Sequence, residues 1–121
     1  MKKIVIGGQM GKDQIEKDIK NLTQGKDVEV SVMSDLDAAM AIQNGQADYY
    51  VGACETGAGG ALAMATALIG TDKTLTVASP TNVLSQDEIQ KGINNGKIAF
   101  GFTINAKDVV LPRIIDSLPL N

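Results

Sequence analysis

The sequence predicts an α/β fold, a three-layer αβα sandwich built around a five-stranded parallel sheet. Short runs of Val and Ile alternate regularly with amphipathic helical patterns, which is typical of βαβ units. The chain has 121 residues, of which 44% are hydrophobic and 21% charged, the mixture of one soluble globular domain. Residues 1–121 are therefore expected to form a single α/β domain.

The first half of the chain contains three predicted strands, at residues 3–6, 28–32 and 49–53. The helix between the first two ends at Gly25 and carries an apolar face of Ile15, Ile19 and Leu22. A capping box from Ser34 to Asp37 is expected to begin the second helix, which Asn44 and Gly45 end. The buried stripe of this second helix is predicted to be Leu36, Ala39 and Met40.

The second half continues the alternation, with strands at residues 74–78 and 98–102 and a third helix at residues 57–69. A second capping box, Ser85 to Glu88, begins the fourth helix. The last helix carries Leu111, Ile114, Ile115 and Leu118, and Pro112 either begins this helix or kinks it.

Composition argues against several classes of partner and cofactor. The net charge of −3, the 3% aromatic content and the absence of Trp disfavour nucleic acid. One Cys and no His leave too few ligands for zinc, so neither a metal nor a cofactor is predicted. The apolar runs are too short for a signal peptide or a membrane span, so the protein is expected in the cytoplasm.

Polar residues and glycines follow the predicted strands at the edge where their carboxyl ends meet. Right-handed crossovers bring these ends together, and ligands bind at that edge of an α/β sheet. Outside the loop after strand three, the predicted ligand-binding residues are Gly7, Gly8, Gln9, Ser79 and Asn82.

Residues 48–70 give the sharpest signal, a strand followed by a glycine-rich loop and an alanine-rich helix. Gly57, Gly59 and Gly60 are expected to begin this helix, where unpaired backbone N–H groups attract phosphate or carboxylate. Glu55 lies in the same loop and is included among the ligand-binding residues. Alternatively, the glycines only allow the helix to pack closely on the sheet.

Cys54 lies at the end of strand three, where a thiol could serve as nucleophile or base. The alternative is a small buried apolar side chain, since no His is present to partner the thiol.

Helix three has no charged residue from Gly57 to Thr71 and is expected to be buried on all sides. One face should meet the sheet, and the other should be covered either by a neighbouring helix or by a second subunit. A homodimer or higher homo-oligomer is therefore expected.

The whole chain resembles the YhfU-like family of small bacterial proteins, a family with no assigned activity. The matching stretches are MKKIVIG at residues 1–7, AAMAIQNGQADYYVGACETGAGGALAMATALIG at residues 38–70 and KIAFGF at residues 97–102.

More distantly, residues 45–65 are similar to the strand, loop and helix of the ribose-5-phosphate isomerase B and galactose-6-phosphate isomerase family. The resemblance implies a Rossmann-like, isomerase-B-like fold, with Cys54 as the proton-transfer base and Thr56 as a nearby hydroxyl. It also implies that Gly57 and Gly59 supply amides to the enediolate. Gln9 and Met10 stand where that family has Asp and His, and Glu55 replaces a loop glycine.

Three functions fit these observations. The first is proton transfer on a small phosphorylated or carboxylated carbonyl compound, and the second is a non-catalytic small-molecule-binding or regulatory module in carbohydrate metabolism. The third is a phosphotransfer component resembling the IIB proteins of sugar transport, which carry their Cys just after strand one instead.

Overall fold

A computed structural model describes residues 1–55 and 60–120 of the chain. Within these ranges the helices are α1 (Lys12–Leu22), α2 (Asp35–Gln43), α3 (Ala63–Ile69), α4 (Gln86–Asn94) and α5 (Lys107–Ser117). The strands are β1 (Lys2–Gly8), β2 (Val28–Val32), β3 (Tyr49–Cys54), β4 (Thr74–Thr76), β5 (Ala78–Ser79), β6 (Asn82–Val83) and β7 (Ala99–Thr103).

The main sheet has five strands, all parallel, in the order β2-β1-β3-β7-β4. One face packs against α1, α4 and α5 through a cluster that includes Ile15, Ile89 and Phe100. The other face packs against α2 and α3 through a smaller cluster that includes Tyr50 and Ala65. The predicted three-layer α/β fold with five parallel strands is confirmed.

Several helix ends follow the predicted local signals. Ser85 Oγ accepts the Glu88 N–H at 3.2 Å, and Glu88 Oε1 accepts the Ser85 N–H at 3.0 Å, so the capping box of α4 is confirmed. At the start of α2, Ser34 Oγ accepts the Asp37 N–H at 3.1 Å, so Ser34 caps the helix as predicted, but the reciprocal bond of a capping box is not formed. Gly45 and Gly96 follow the ends of α2 and α4 with positive φ, where glycine carries no steric penalty.

The predicted buried stripe of α2 is wrong in two of its three residues. Leu36 and Met40 are 47% and 42% exposed, whereas Ala39 is buried as expected. The helix instead packs through its small residues together with one isoleucine, and the other buried positions are Ala38, Ala41 and Ile42. Small side chains allow α2 to approach the sheet and α3 closely.

Helix three begins later than predicted. Residues 57–59 lie outside the described ranges, while Gly60, Ala61 and Leu62 form a turn, and α3 runs only from Ala63 to Ile69. The prediction that this helix is buried on all sides is also wrong for the single chain. Ala65 is its one buried residue, and Ala63, Met64 and Ala67 are exposed.

Two further boundaries differ from the prediction. The strand expected at residues 74–78 breaks at Val77, and the chain continues into the short antiparallel pair of β5 and β6. Pro112 lies inside α5, which begins five residues earlier at Lys107, so this helix does not begin at the proline.

Candidate functional site

The candidate site is the crevice between the carboxyl ends of β1 and β3. The chain passes from β1 to β2 on one side and then returns to place β3 on the other side of β1. Such a reversal of strand order leaves a crevice at the carboxyl edge, where open α/β sheets bind ligands. The described residues that border it are Gln9, which follows β1, Cys54 at the end of β3, and Gly60 in the turn before α3.

Gln9, Cys54 and Gly60 converge at this crevice. A Cβ placed on Gly60 would lie 3.5 Å from each side-chain amide atom of Gln9 and 3.6 Å from the Cys54 Sγ. The Gln9 N–H also donates to the Ala53 carbonyl at 2.9 Å, which fixes the first loop against the end of β3. Cys54 is 2% exposed, so its thiol lies within the wall of the crevice.

Tyr50 is buried next to this cluster, on the same face of β3 as Cys54. Its hydroxyl accepts the Gly8 N–H at 2.9 Å and lies 2.5 Å from Asp35 Oδ1 and 2.9 Å from the Ala61 carbonyl oxygen. Asp35 Oδ1 also accepts the Gly8 N–H at 3.0 Å. Burial, followed by the hydrogen bond to Asp35 and its negative charge, raises the pKa of Tyr50 well above its usual range. The hydroxyl is therefore protonated and acts as a donor.

The charged side chains near the crevice have different environments. The Asp35 carboxylate is engaged by Tyr50 and Gly8, and Glu55 is exposed. Lys12, the first residue of α1, donates from Nζ to the Met33 carbonyl at 2.9 Å, so its charge lies between the loop after β1 and the end of β2. An anionic ligand entering between β1 and β2 would meet this ammonium group.

The structure brings together four of the residues predicted from sequence, Gly8, Gln9, Cys54 and Gly60. Gly7 and Gly8 lie within β1, paired with Gly52 and Ala53, and not in the loop where the sequence suggested them. Gly60 lies in the turn before α3 and does not begin the helix. The residue that immediately precedes α3 is Leu62. Thr56, Gly57 and Gly59 fall outside the described residues.

Ser79 and Asn82 occupy a different part of the carboxyl edge. They pair with each other in the hairpin of β5 and β6, which continues from β4. The hairpin packs beside β7, so β7 separates Ser79 and Asn82 from β3 and Cys54.

Comparison with known proteins assigns the chain to a family. The model of the family described as protein of unknown function DUF2620 matches residues 2–118. The chain is 42% identical over 118 residues to the uncharacterized protein YhfU of Escherichia coli strain K12, covering 98% of this chain and 99% of the relative. The YhfU proteins of E. coli O6:H1 and Shigella flexneri match equally well.

The chain belongs to the DUF2620 family.

The predicted YhfU-like resemblance is thereby confirmed, and no solved structure matches the DUF2620 chain. Across the described ranges, no helix is long and apolar enough to cross a membrane.

Sequence reasoning did not include Tyr50, Asp35 or Lys12 of the DUF2620 chain among the predicted site residues. The sequence predicts Tyr50 only as part of strand three. The signal that could have found Tyr50 is its spacing from Gly52, since a large ring followed two residues later by glycine on the same strand face has room to lie along the sheet.

Two clefts of the DUF2620 fold lie beside the helices. One, of about 460 Å³, is lined by the end of β2 and by α2, including Val32, Asp37 and Met40. The other, of about 190 Å³, lies between α1 and α5 and contains Lys107. Hydrogen bonds from Lys107 Nζ to Asp18 and Asp108 raise the pKa of that ammonium group and offset its charge, which disfavours this cleft as an anion site.

Proposed function

We propose that this protein binds a small phosphorylated or carboxylated carbonyl compound in the crevice between β1 and β3 and moves a proton between two adjacent carbons of it. The observation that carries the proposal is the convergence of the Cys54 thiol and the Gln9 amide at Gly60. The distant similarity to the sugar-phosphate isomerases supports the same reaction class. The cytoplasm, where such metabolites are made, is the compartment this proposal implies.

Each group in the crevice has a role in the proposed chemistry. Cys54 acts as the base that takes a proton from the hydroxyl-bearing carbon beside the carbonyl. The hydroxyl proton of that carbon passes to the former carbonyl oxygen within the enediolate, and Cys54 returns its proton to the former carbonyl carbon, so the carbonyl moves by one carbon. The negative charge that develops on the enediolate oxygen needs donors held in place before the reaction, which the Gln9 amide can provide. Lys12, whose Nζ is held at the Met33 carbonyl on the β2 side of β1, adds a positive charge at the same edge of the sheet that would draw an anion toward the site from a distance.

An open-chain substrate suits this site better than a cyclic sugar. Gln9 and Met10 occupy the positions at which the isomerases carry their ring-opening Asp and His. Neither an amide nor a thioether titrates near neutral pH, so neither can act as the general acid or base that opens a sugar ring. We therefore expect linear carbonyl compounds to be preferred over ring forms.

A non-catalytic binding module is the second candidate, favoured by the 2% exposure of Cys54. In that case the buried Cys54 side chain only lines the pocket, and the Gln9 amide provides recognition. The phosphotransfer alternative has less support, because Cys54 ends β3, whereas the loop after β1, residues 9–11, contains no cysteine.

Binding is tested by thermal unfolding with a panel of sugar phosphates and small carboxylates. We expect at least one open-chain compound to raise the Tm, since a ligand at a hundredfold excess over its Kd stabilises by about 2.7 kcal/mol. Gly60→Ala is the matched variant for this measurement. Its methyl group would lie 3.5 Å from the Gln9 amide, without a steric clash, and would narrow the crevice, so the ligand should raise the Tm of this variant less. A panel in which no compound stabilises the wild-type protein contradicts both candidate functions.

Catalysis is tested by incorporation of solvent deuterium into the ligand that the panel identifies, followed by NMR. Wild-type protein should introduce deuterium at the carbon beside the carbonyl. Cys54→Ser should bind the same ligand and lose exchange by about a hundredfold or more, the usual contribution of a positioned base. Binding without exchange in the wild-type protein would favour the non-catalytic module.

A further inference from the structure

The Tyr50 hydroxyl joins segments from around the crevice. Tyr50 itself lies on β3, while the three polar groups within 2.9 Å of its Oη belong to the end of β1, the start of α2 and the turn before α3. These groups are the Gly8 N–H, the Asp35 carboxylate and the Ala61 carbonyl. One buried oxygen therefore links the segments on both sides of the candidate site.

Packing holds the aromatic ring in this position. Tyr50 is fully buried, and its ring lies across Gly7 and Gly52, two glycines that are paired on neighbouring strands. A Cβ on Gly7 would lie 2.5 Å from Tyr50 Cε2, and one on Gly52 would lie 2.9 Å from Tyr50 Oη. Both contacts are shorter than packed atoms allow, so the glycines provide the space that the ring fills.

The partners of the hydroxyl are the sequence neighbours of the site residues. Gly8 immediately precedes Gln9, and Ala61 immediately follows Gly60. Gln9 and Gly60 are the two residues that approach each other beside the Cys54 Sγ. The hydroxyl proton has two acceptors within reach, Asp35 Oδ1 and the Ala61 carbonyl oxygen, and it can serve only one of them fully at a time.

We propose that Tyr50 is the positioning residue of the crevice, whose hydroxyl holds Gln9 and Gly60 against the Cys54 thiol through Gly8, Asp35 and Ala61. The inference rests on the proposed function only for the identity of the crevice as the binding site. The burial of the Cys54 thiol, which limits its reaction with a reagent in solution, is a property of the unliganded protein. Its reaction rate can therefore be measured without knowledge of the ligand.

The test compares Tyr50→Phe with Tyr49→Phe, the same substitution one residue earlier on the opposite face of β3. Both variants keep the aromatic ring and lose one hydroxyl, but only Tyr50 contacts Gly8, Asp35 and Ala61. Two rates are measured under native conditions: alkylation of Cys54, the only cysteine of the chain, by iodoacetamide, and hydrogen exchange of individual backbone amides by NMR.

For Tyr50→Phe we expect the rates of Cys54 alkylation and of Gly8 amide exchange to rise about tenfold. This factor corresponds to the loss of roughly one buried hydrogen bond. Amide exchange at Val5 and Ile6, earlier in the same strand, should keep its wild-type rate. Tyr49→Phe should leave both rates within about twofold of wild type, which is the scatter of variants that remove no such bond. Asp35→Asn, which keeps the side-chain shape, should act in the same direction as Tyr50→Phe and provides the test if Tyr50→Phe does not fold.

Two results would overturn the proposal. In the first, Cys54 in Tyr50→Phe and in Asp35→Asn is alkylated at the wild-type rate. In the second, Gly8, Val5 and Ile6 exchange faster by the same factor, which is the signature of general destabilisation and not of local positioning. Failure of the ligand panel would contradict the proposed function and leave these rates unaffected, so the two proposals fail separately.

Discussion

Gly7 has a structural role that can be measured apart from any ligand. Its Cα faces the Tyr50 ring and the Ala38 methyl group, and a Cβ there would lie 2.5 Å and 2.9 Å from them. We expect Gly7→Ala to lower the free energy of unfolding by about 1–3 kcal/mol, since neither neighbour can move without disturbing the core. Urea denaturation measures the change, with Gly60→Ala as the control whose methyl group fits. A loss no larger than that of Gly60→Ala would contradict this account of Gly7.

The buried tyrosine also predicts how stability depends on alkaline pH. Burial raises the pKa of Tyr49 and, together with Asp35, that of Tyr50 above the unfolded value of 10.0. Above pH 10.0 the unfolded chain releases these protons first, so it binds fewer protons than the folded chain and stability falls as pH rises. Below that pH the contribution is fully present.

We therefore expect the free energy of unfolding to decrease steadily as pH rises above 10.0, with a shallower decrease in Tyr50→Phe. The variant retains the contributions of Tyr49 and of Lys107, whose pKa is raised by Asp18 and Asp108. Urea denaturation at a series of alkaline pH values provides the measurement. An identical slope in wild type and Tyr50→Phe would show that Tyr50 does not carry this dependence.

At the level of elements, local signals predicted well wherever a short motif determines the backbone. The Ser85 to Glu88 capping box fixed the start of α4, and the alternating Val28, Val30 and Val32 fixed β2. Burial was harder to predict, because it depends on what an element packs against. Leu36 and Met40 are the larger side chains of α2, yet the alanines of that helix face the sheet, because only they allow α2 and α3 to lie close together.

The start of α3 shows where local reasoning fails for the site itself. Alanines after glycines favour a helix, but the Ala61 carbonyl meets the Tyr50 hydroxyl, and the first bond of the helical ladder runs from the Thr66 N–H to the Leu62 carbonyl. The contact between Tyr50 and the Ala61 carbonyl forms only because the ring lies over Gly7 and Gly52. These two glycines are neighbours because of the register in which β1 pairs with β3. Sequence spacing could place Gln9 and Cys54 at one sheet edge, but it could not supply this register.

At the scale of the whole molecule, the layer formed by α2 and α3 leaves an apolar surface exposed. Leu36, Met40 and Met64 are 47%, 42% and 36% exposed, and α3 contains no charged residue. Gln43 of α2 donates to the Leu68 carbonyl of α3 at 3.3 Å, so the two helices present a joined surface. Two copies of a chain with net charge −3 repel each other, so contact through α3, which has no charged residue, costs less than contact through α2, on which Asp37 is exposed.

We propose that the protein forms a homodimer through the exposed side of α3, with the same surface used by both copies. Sedimentation velocity at micromolar concentration should give a dimer, and Met64→Lys should give a monomer because each interface would then bury two like charges near its symmetry axis. Val109→Lys is the matched control, since Val109 is 49% exposed on α5 in the opposite layer and should remain dimeric. A wild-type protein that sediments as a monomer would contradict the proposal. If Val109→Lys gives a monomer and Met64→Lys does not, the dimer interface lies on the α5 layer and the proposed surface is wrong.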